Sequence, residues 1–284
     1  MDCIVLDMGV AKTGPDSSIR VLEVATQCLI SCLRMRAILF DFGGTLDYPL
    51  HWLDRFLAHY RAAGVSIGRS ELDRAFSKAT QMAYRAGIQR HDCNLAETVS
   101  FLVVNQIDEL RRNGQAPLIA IIDKCDGSNG ALARQITSAF VAESVLGLGR
   151  SRRVLSSLAG RFKIGVVSNF YGNLDRVLAE AGIAVMLDTV VDSTCLGIYK
   201  PDERIFETAL KALEVAPADA LMVGDSLEKD CAPARRLGMR TAWLRHSETA
   251  TRHPNSQLAD FTLDSLEGLE NLEWWTEKTH PNGG

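Results

Sequence analysis

From position 35 onward the chain alternates short, unbroken apolar runs with stretches whose apolar residues recur at helical spacing. The runs are Ala37-Ile38-Leu39-Phe40, Ile164-Gly165-Val166-Val167, Ala220-Leu221-Met222-Val223 and Thr241-Ala242-Trp243-Leu244. None alternates polar with apolar, so each predicts a strand covered on both faces. Between the later runs the spacing predicts helices over Asn173–Ala181, stopped by Gly182, and Asp230–Leu237, stopped by Gly238. A third, Asp202–Leu213, carries Ile205, Phe206, Ala209, Leu210 and Leu213 on one stripe. Strand–helix alternation of this kind predicts an α/β fold with a doubly wound parallel sheet, right-handed crossovers and a site at the carboxyl ends of the strands.

The stretch 47–149 breaks the alternation. It holds helix patterns at Leu50–Ala63, Ser70–Ala86, Asn94–Arg112 and Asn129–Ser144, and no convincing strand. Ser70 and Asn94 read as caps, and Gly64, Gly87 and Gly114 as stops. This predicts an α-helical domain over 47–149, inserted into an α/β core made of 35–46 plus 150–284. Residues 1–34 fit neither part. Their apolar run, Val21–Leu33, contains Glu23 and Gln27 and is too short to span a bilayer. Asp2 and Asp7 stand where a signal peptide needs positive charge. Residues 1–34 are therefore expected to be a poorly ordered extension or an overlong translation start. Thr249–Gln257 reads as a surface loop and Pro281–Gly284 as a frayed tail.

Composition narrows the function classes. The 284 residues are 46% hydrophobic and 23% charged, which fits a soluble globular chain and excludes disordered or membrane-bundle classes. Thirty-one basic and 35 acidic residues give a net charge of −4, so neither nucleic acid nor an anionic membrane is an expected partner. Seven cysteines, an odd number at irregular spacing, suggest no disulfide framework. Cys28 and Cys32 lack the second pair that a zinc site needs. The expected location is the cytoplasm; oligomeric state is left open.

Four polar clusters follow predicted strands or precede a helix: Asp41-Phe42-Gly43-Gly44-Thr45, Ser168-Asn169, Lys200-Pro201, and Gly224-Asp225-Ser226-Leu227-Glu228-Lys229-Asp230. Each alone has an ordinary reading as a turn cap, a helix start or a surface charge. Together they put carboxylates, a hydroxyl, an amide and an ammonium on one rim of one sheet. Such a set suits a divalent cation and a phosphate dianion.

In this order and strand context the clusters resemble the haloacid dehalogenase superfamily, in the branch with a helical cap between its first and second motifs. The resemblance covers roughly residues 35–273. It implies a Rossmann-like core and a hydrolase of the phosphatase type, acting on a small phosphorylated metabolite. Asp41 would be the nucleophile that carries an aspartyl-phosphate, oriented by Thr45. Ser168, Lys200, Gly44 and Asn169 would hold the phosphate. Asp41, the Gly43 carbonyl, Asp225 and Asp230 would surround Mg²⁺.

One position departs from the pattern. Phosphatases of this superfamily mostly carry a second Asp two residues after the nucleophile, as acid for the leaving alkoxide and base for water; here that residue is Gly43. Loss of such a group costs roughly 10²–10⁴ in rate. A phosphotransferase, or a hydrolase limited to acyl or anhydride phosphates, is therefore an alternative; so is a catalytically weak binder of a phospho-ligand or partner. Asp47 and His51 are possible substitutes for the acid, although a hinge residue and a helix-start residue are the ordinary readings. A second carboxylate at Asp225 speaks against metal-free dehalogenation of a carboxylate substrate. His51, Trp52, Arg55, Tyr84, Arg85 and Arg90 are candidate cap residues facing the substrate. Trp274 and Trp275 read as packing, and Asp7-Met8-Gly9, which lacks a Thr four residues on, as a chance echo of the first motif.

Overall fold

The computed structural model describes residues 35–47, 50–86, 91–114, 130–246 and 256–272. All the elements below lie in the unit Arg36–Gly284. The extension 1–34 falls outside the described residues, as do Gly87, Arg90, Asn129, most of the Thr249–Gln257 loop, Trp274, Trp275 and the tail.

The core is a six-stranded, wholly parallel sheet in the order β3-β2-β1-β4-β5-β6. The strands are β1 (Ala37–Phe40), β2 (Lys163–Ser168), β3 (Thr189–Asp192), β4 (Ala220–Gly224), β5 (Arg240–Leu244) and β6 (Phe261–Leu263). β1 and β4 are buried along their whole length, which is why their sequences are apolar without alternation. The sequence pattern missed β3 and β6. Both are short edge strands with partly exposed residues, so neither carries a continuous apolar run.

Among the described residues, four helices lie between β1 and β2: α1 (Trp52–Ala62), α2 (Arg69–Ala86), α3 (Leu95–Arg112) and α4 (Gly130–Leu158). α2 packs on α3, and both α1 and α3 pack on α4. Asn94 caps α3 in a full capping box with Glu97, as its sequence suggested. Ser70 does not cap α2. It lies in the first turn, and Glu71 reaches back to the Gly68 N–H instead (3.1 Å). α4 does not stop at Ser144 but runs on to Leu158, through residue 149. Gly147 and Gly149 lower helix propensity without breaking it, and packing on the core prevails. Ser151 on this continuation donates to the Leu46 carbonyl (2.7 Å) and ties α4 to the loop after β1.

Four shorter helices follow: α5 (Leu174–Glu180), α6 (Ser193–Leu196), α7 (Arg204–Leu213) and α8 (Ala232–Arg236). α7 buries Ile205, Phe206, Ala209, Leu210 and Leu213 against β2 and β3. The chain winds from β1 to β2 and β3 on one side, then to β4, β5 and β6 on the other. The switch point lies between β1 and β4, where an open α/β sheet leaves a crevice for a ligand.

Candidate active site

Asp41 and Asp225 immediately follow β1 and β4, and therefore flank that crevice. The Asp41 N–H donates to the Val223 carbonyl (2.9 Å), which continues the ladder one residue past β1. Asp41 Oδ1 accepts from Ser168 Oγ, at the end of β2 (2.9 Å), and from Lys200 Nζ (2.6 Å). The same Nζ donates to Asp230 Oδ1 (2.6 Å). Asp230 Oδ2 accepts from the Ser226 N–H (3.1 Å), which pins the 225–230 turn. Residues 127 to 159 positions apart in the chain thus meet in one buried network.

Lys200 is fixed from behind. Asn169 Nδ2 donates to the Lys200 carbonyl (2.9 Å), and the Lys200 N–H donates to Asn169 Oδ1 (2.7 Å). The Asn169 side chain is thereby occupied in holding Lys200, whose peptide bond to Pro201 is cis. Burial alone would lower the lysine; the Asp230 and Asp41 carboxylates outweigh it and hold the ammonium above its usual range. Burial pushes Asp230 up to about 7, helped by the charges of Asp41 and Asp225 and opposed by Lys200.

Carboxylate oxygens of Asp41, Asp225 and Asp230 all lie within 4.8 Å of one another. Three hard oxygen donors so close, with only one ammonium among them, fit a divalent cation such as Mg²⁺. The loop Phe42–Leu46 makes this approach possible. Gly44 has φ +86°, and a Cβ there would collide with the Asp225 carboxylate. Thr45 is buried, and its Oγ1 has no hydrogen-bond partner among the described residues. Gly43 lines the crevice beside Asp41.

Trp52 crowds the backbone at Gly43: a Cβ there would lie 3.2 Å from Trp52 Nε1, a tight contact that needs the indole to give by a few tenths of an ångström. The indole is held there by Asp47, whose Oδ2 accepts from Trp52 Nε1 (2.8 Å) and from an Arg55 terminal nitrogen (2.6 Å). Asp47 Oδ1 accepts from the Gly44 N–H (2.8 Å). Asp47 is thus a wholly buried hinge between the loop and α1. Burial raises its carboxyl, while Arg55 and the Gly44 and Trp52 donors pull it down.

Among the other sequence candidates, His51, Trp52 and Tyr84 line the crevice. His51 caps α1: its Nδ1 accepts from the Leu53 N–H (3.2 Å). Burial holds its imidazole below the usual range, although Asp225 pulls the other way. Arg55 does not face the crevice. It is fully buried, bonded to Asp47, Glu143, Ser144 and the Phe140 carbonyl. Arg85 is exposed and outside the lining. The sequence reading missed His246, two residues past β5. It is largely buried, and its Nε2 lies 3.5 Å from Asp225 Oδ2. No motif marks it, and only the parallel register of β5 against β4 brings it there.

The model of the haloacid dehalogenase-like hydrolases matches residues 35–238, well over half of the chain. The chain belongs to this family. A haloacid dehalogenase-like hydrolase therefore accounts for both the order of the four clusters and the sheet. The chain is 32% identical over 145 residues to a pyrimidine 5'-nucleotidase of Escherichia coli, a stretch covering 49% of this chain and 63% of that one. It is 42% identical over 82 residues to a phosphoserine phosphatase of Thermus thermophilus, covering 28% and 33%. The matched stretches thus span less than two thirds of these curated relatives. The solved L-2-haloacid dehalogenase of Xanthobacter autotrophicus has the same fold, with TM-score 0.50, 18% identity and 84% and 98% of the two chains covered. Among the described residues no helix is long and apolar enough to cross a membrane, and Cys93, Cys195 and Cys231 are free thiols.

Proposed function

We propose that this hydrolase transfers the phosphoryl group of a small phosphorylated substrate to water through an aspartyl-phosphate on Asp41. The observation that carries this reading is the meeting of Asp41, Ser168, Lys200, Asp225 and Asp230 at the switch point. Oδ1 of Asp41 is taken by Ser168 and Lys200; Oδ2, which accepts no hydrogen bond among the described residues, is the attacking atom. Ser168 and Lys200 then hold the phosphoryl oxygens, with the Asn169 backbone beside them, and stabilise the charge that spreads over these oxygens during transfer; the Gly44 N–H is taken by Asp47 Oδ1. Thr45 orients the loop that carries Asp41. Asp41, Asp225, Asp230 and the Gly43 carbonyl would hold Mg²⁺, which neutralises charge on the phosphoryl oxygens when bound. The phosphatase and nucleotidase names of the curated relatives support the same reaction class. Helices α1–α3 act as the cap, closing over the crevice to exclude water.

A second reading limits the reaction to leaving groups that depart without a proton. Gly43, with the Trp52 indole close beside it, favours it, because residue 43 brings no carboxyl to the leaving group. Phosphate release with Mg²⁺ from acetyl phosphate and from an alkyl sugar phosphate separates the two. Similar turnover of both, lost in Asp41→Asn, supports a general metabolite phosphatase. Turnover of acetyl phosphate alone supports the restricted reading. Turnover unchanged in Asp41→Asn overturns both.

A further inference from the structure

The crevice has two chemically different ends. Its floor is the Asp41–Lys200–Asp230 network. Its far wall is a stripe of α2, on which Asp73, Phe76, Ser77, Thr80 and Tyr84 recur at helical spacing and line the crevice. Trp52 and Tyr171 complete this end, with the Tyr84 and Tyr171 ring centroids 5.3 Å apart. The far end is thus largely aromatic. Its described residues also offer no cation for an anionic substrate tail. Among the described lining residues the only lysines are Lys200, already bonded to Asp41 and Asp230, and Lys229 at the exposed rim; none is an arginine. The cavity is about 250 Å³. That is below the roughly 300–1,000 Å³ typical of drug-sized ligands and suits a single ring better than a nucleotide.

The chemistry at the scissile bond points the same way. Gly43 supplies no acid, and the N–H of the Trp52 indole that crowds it is committed to Asp47. His51 Nδ1 accepts from Leu53, so the neutral ring carries its proton on Nε2 and is a poor acid. Burial pushes the Tyr84 hydroxyl above its usual range, which weakens it as an acid. None of these three groups is a ready proton donor to the leaving oxygen, which favours one that departs as an anion. Phenols ionise near about 10 and water near about 16, so a phenolate leaves far more readily than an alkoxide.

We propose that the substrate is an aryl phosphate monoester, one aromatic ring whose phenolic oxygen carries the phosphate. This rests on the phosphoryl-transfer reading above. Asp41 Oδ2 bonds to phosphorus as the P–O bond to the ring breaks and its electron pair leaves on the phenolate, which takes a proton from solvent. Water then attacks the aspartyl-phosphate, the P–O bond to Asp41 breaks, and the water's proton passes to solvent. One water is consumed for each phenol and inorganic phosphate formed.

Three substrates separate the parts: phenyl phosphate, benzyl phosphate (the same ring with an alkoxide leaving group) and acetyl phosphate (a good leaving group without a ring). All are assayed with Mg²⁺ on the full chain and on Asp41→Asn. The expected result is kcat/KM at least ~100-fold higher for phenyl than for benzyl phosphate, the size of a missing general acid. Phe76→Ala should lower the ratio of kcat/KM for phenyl phosphate to that for acetyl phosphate about five-fold, since only the first carries a ring to bury. Substrate comparison on the unaltered chain stands even if Phe76→Ala fails to fold. Benzyl and phenyl phosphate turned over alike, or acetyl phosphate affected equally by Phe76→Ala, would overturn the aryl assignment and leave the phosphoryl-transfer reading in place. Hydrolysis of none of the three, or activity that survives Asp41→Asn, overturns both.

Discussion

Arg55 and Asp47 form a fully buried ion pair at 2.6 Å that joins the first helix after β1 to the loop carrying the nucleophile. Arg55 also lies over the Phe140 ring, 3.6 Å from its centroid, and bonds to α4. Removing Arg55 leaves Asp47 as an uncompensated buried carboxylate. Arg55→Met is expected to cost about 3–5 kcal/mol in urea unfolding. Arg55→Met with Asp47→Asn should cost less than the two single losses added, because the double change strands no charge.

Asp41→Asn is expected to abolish turnover while leaving the thermal midpoint unchanged or higher. It removes one of three crowded carboxylates, and a site built for chemistry is commonly not optimal for stability. Lys200→Met should cut kcat by roughly 10²–10³, the size of a lost charge-stabilising donor. A Lys200→Met variant with normal kcat would remove Lys200 from the reaction.

Mg²⁺ should stabilise the protein more at pH 8 than at pH 5. The Asp230 carboxyl is pushed from 3.8 to about 7, so the folded state holds a proton that the unfolded chain has released. Metal-free stability therefore declines as pH rises through that window. Above it the Asp230 carboxyl is ionised, and a cation bound beside it is favoured. Thermal midpoints with and without Mg²⁺ across this range check the sign. A gain that shrinks as pH rises would contradict it.

His246 should set the affinity of the acidic cluster for its cation by orienting Asp225. His246→Ala is expected to raise the Mg²⁺ concentration for half-maximal thermal stabilisation by about ten-fold. His246→Gln should recover part of the loss, while kcat at saturating Mg²⁺ changes little.

With Gly43 unable to activate water, breakdown of the aspartyl-phosphate should be slower than its formation. Rapid mixing with phenyl phosphate is then expected to release phenol in a burst approaching one per site before a slower linear phase. A linear trace from the first turnover would mean that the second step is not limiting.

The sequence by itself determined the four inner strands and the residues that stand at their carboxyl ends. Strands buried on both faces must be apolar throughout, so β1, β2, β4 and β5 announce themselves, and Asp41, Ser168 and Asp225 follow from where three of these runs end. Edge strands β3 and β6 carry no such demand and stayed hidden. The four helices between β1 and β2 were legible from spacing and caps, but α4 overran its expected end because packing on the core outweighs local propensity. What only the tertiary structure decided is which side chain fills which space. Asp47 as hinge, Arg55 turned away from the crevice, Asn169 clamping Lys200, Trp52 beside Gly43 and His246 beside Asp225 are contacts between elements. Sequence periodicity specifies which face of an element is buried; it carries no information on which residue of another element meets that face.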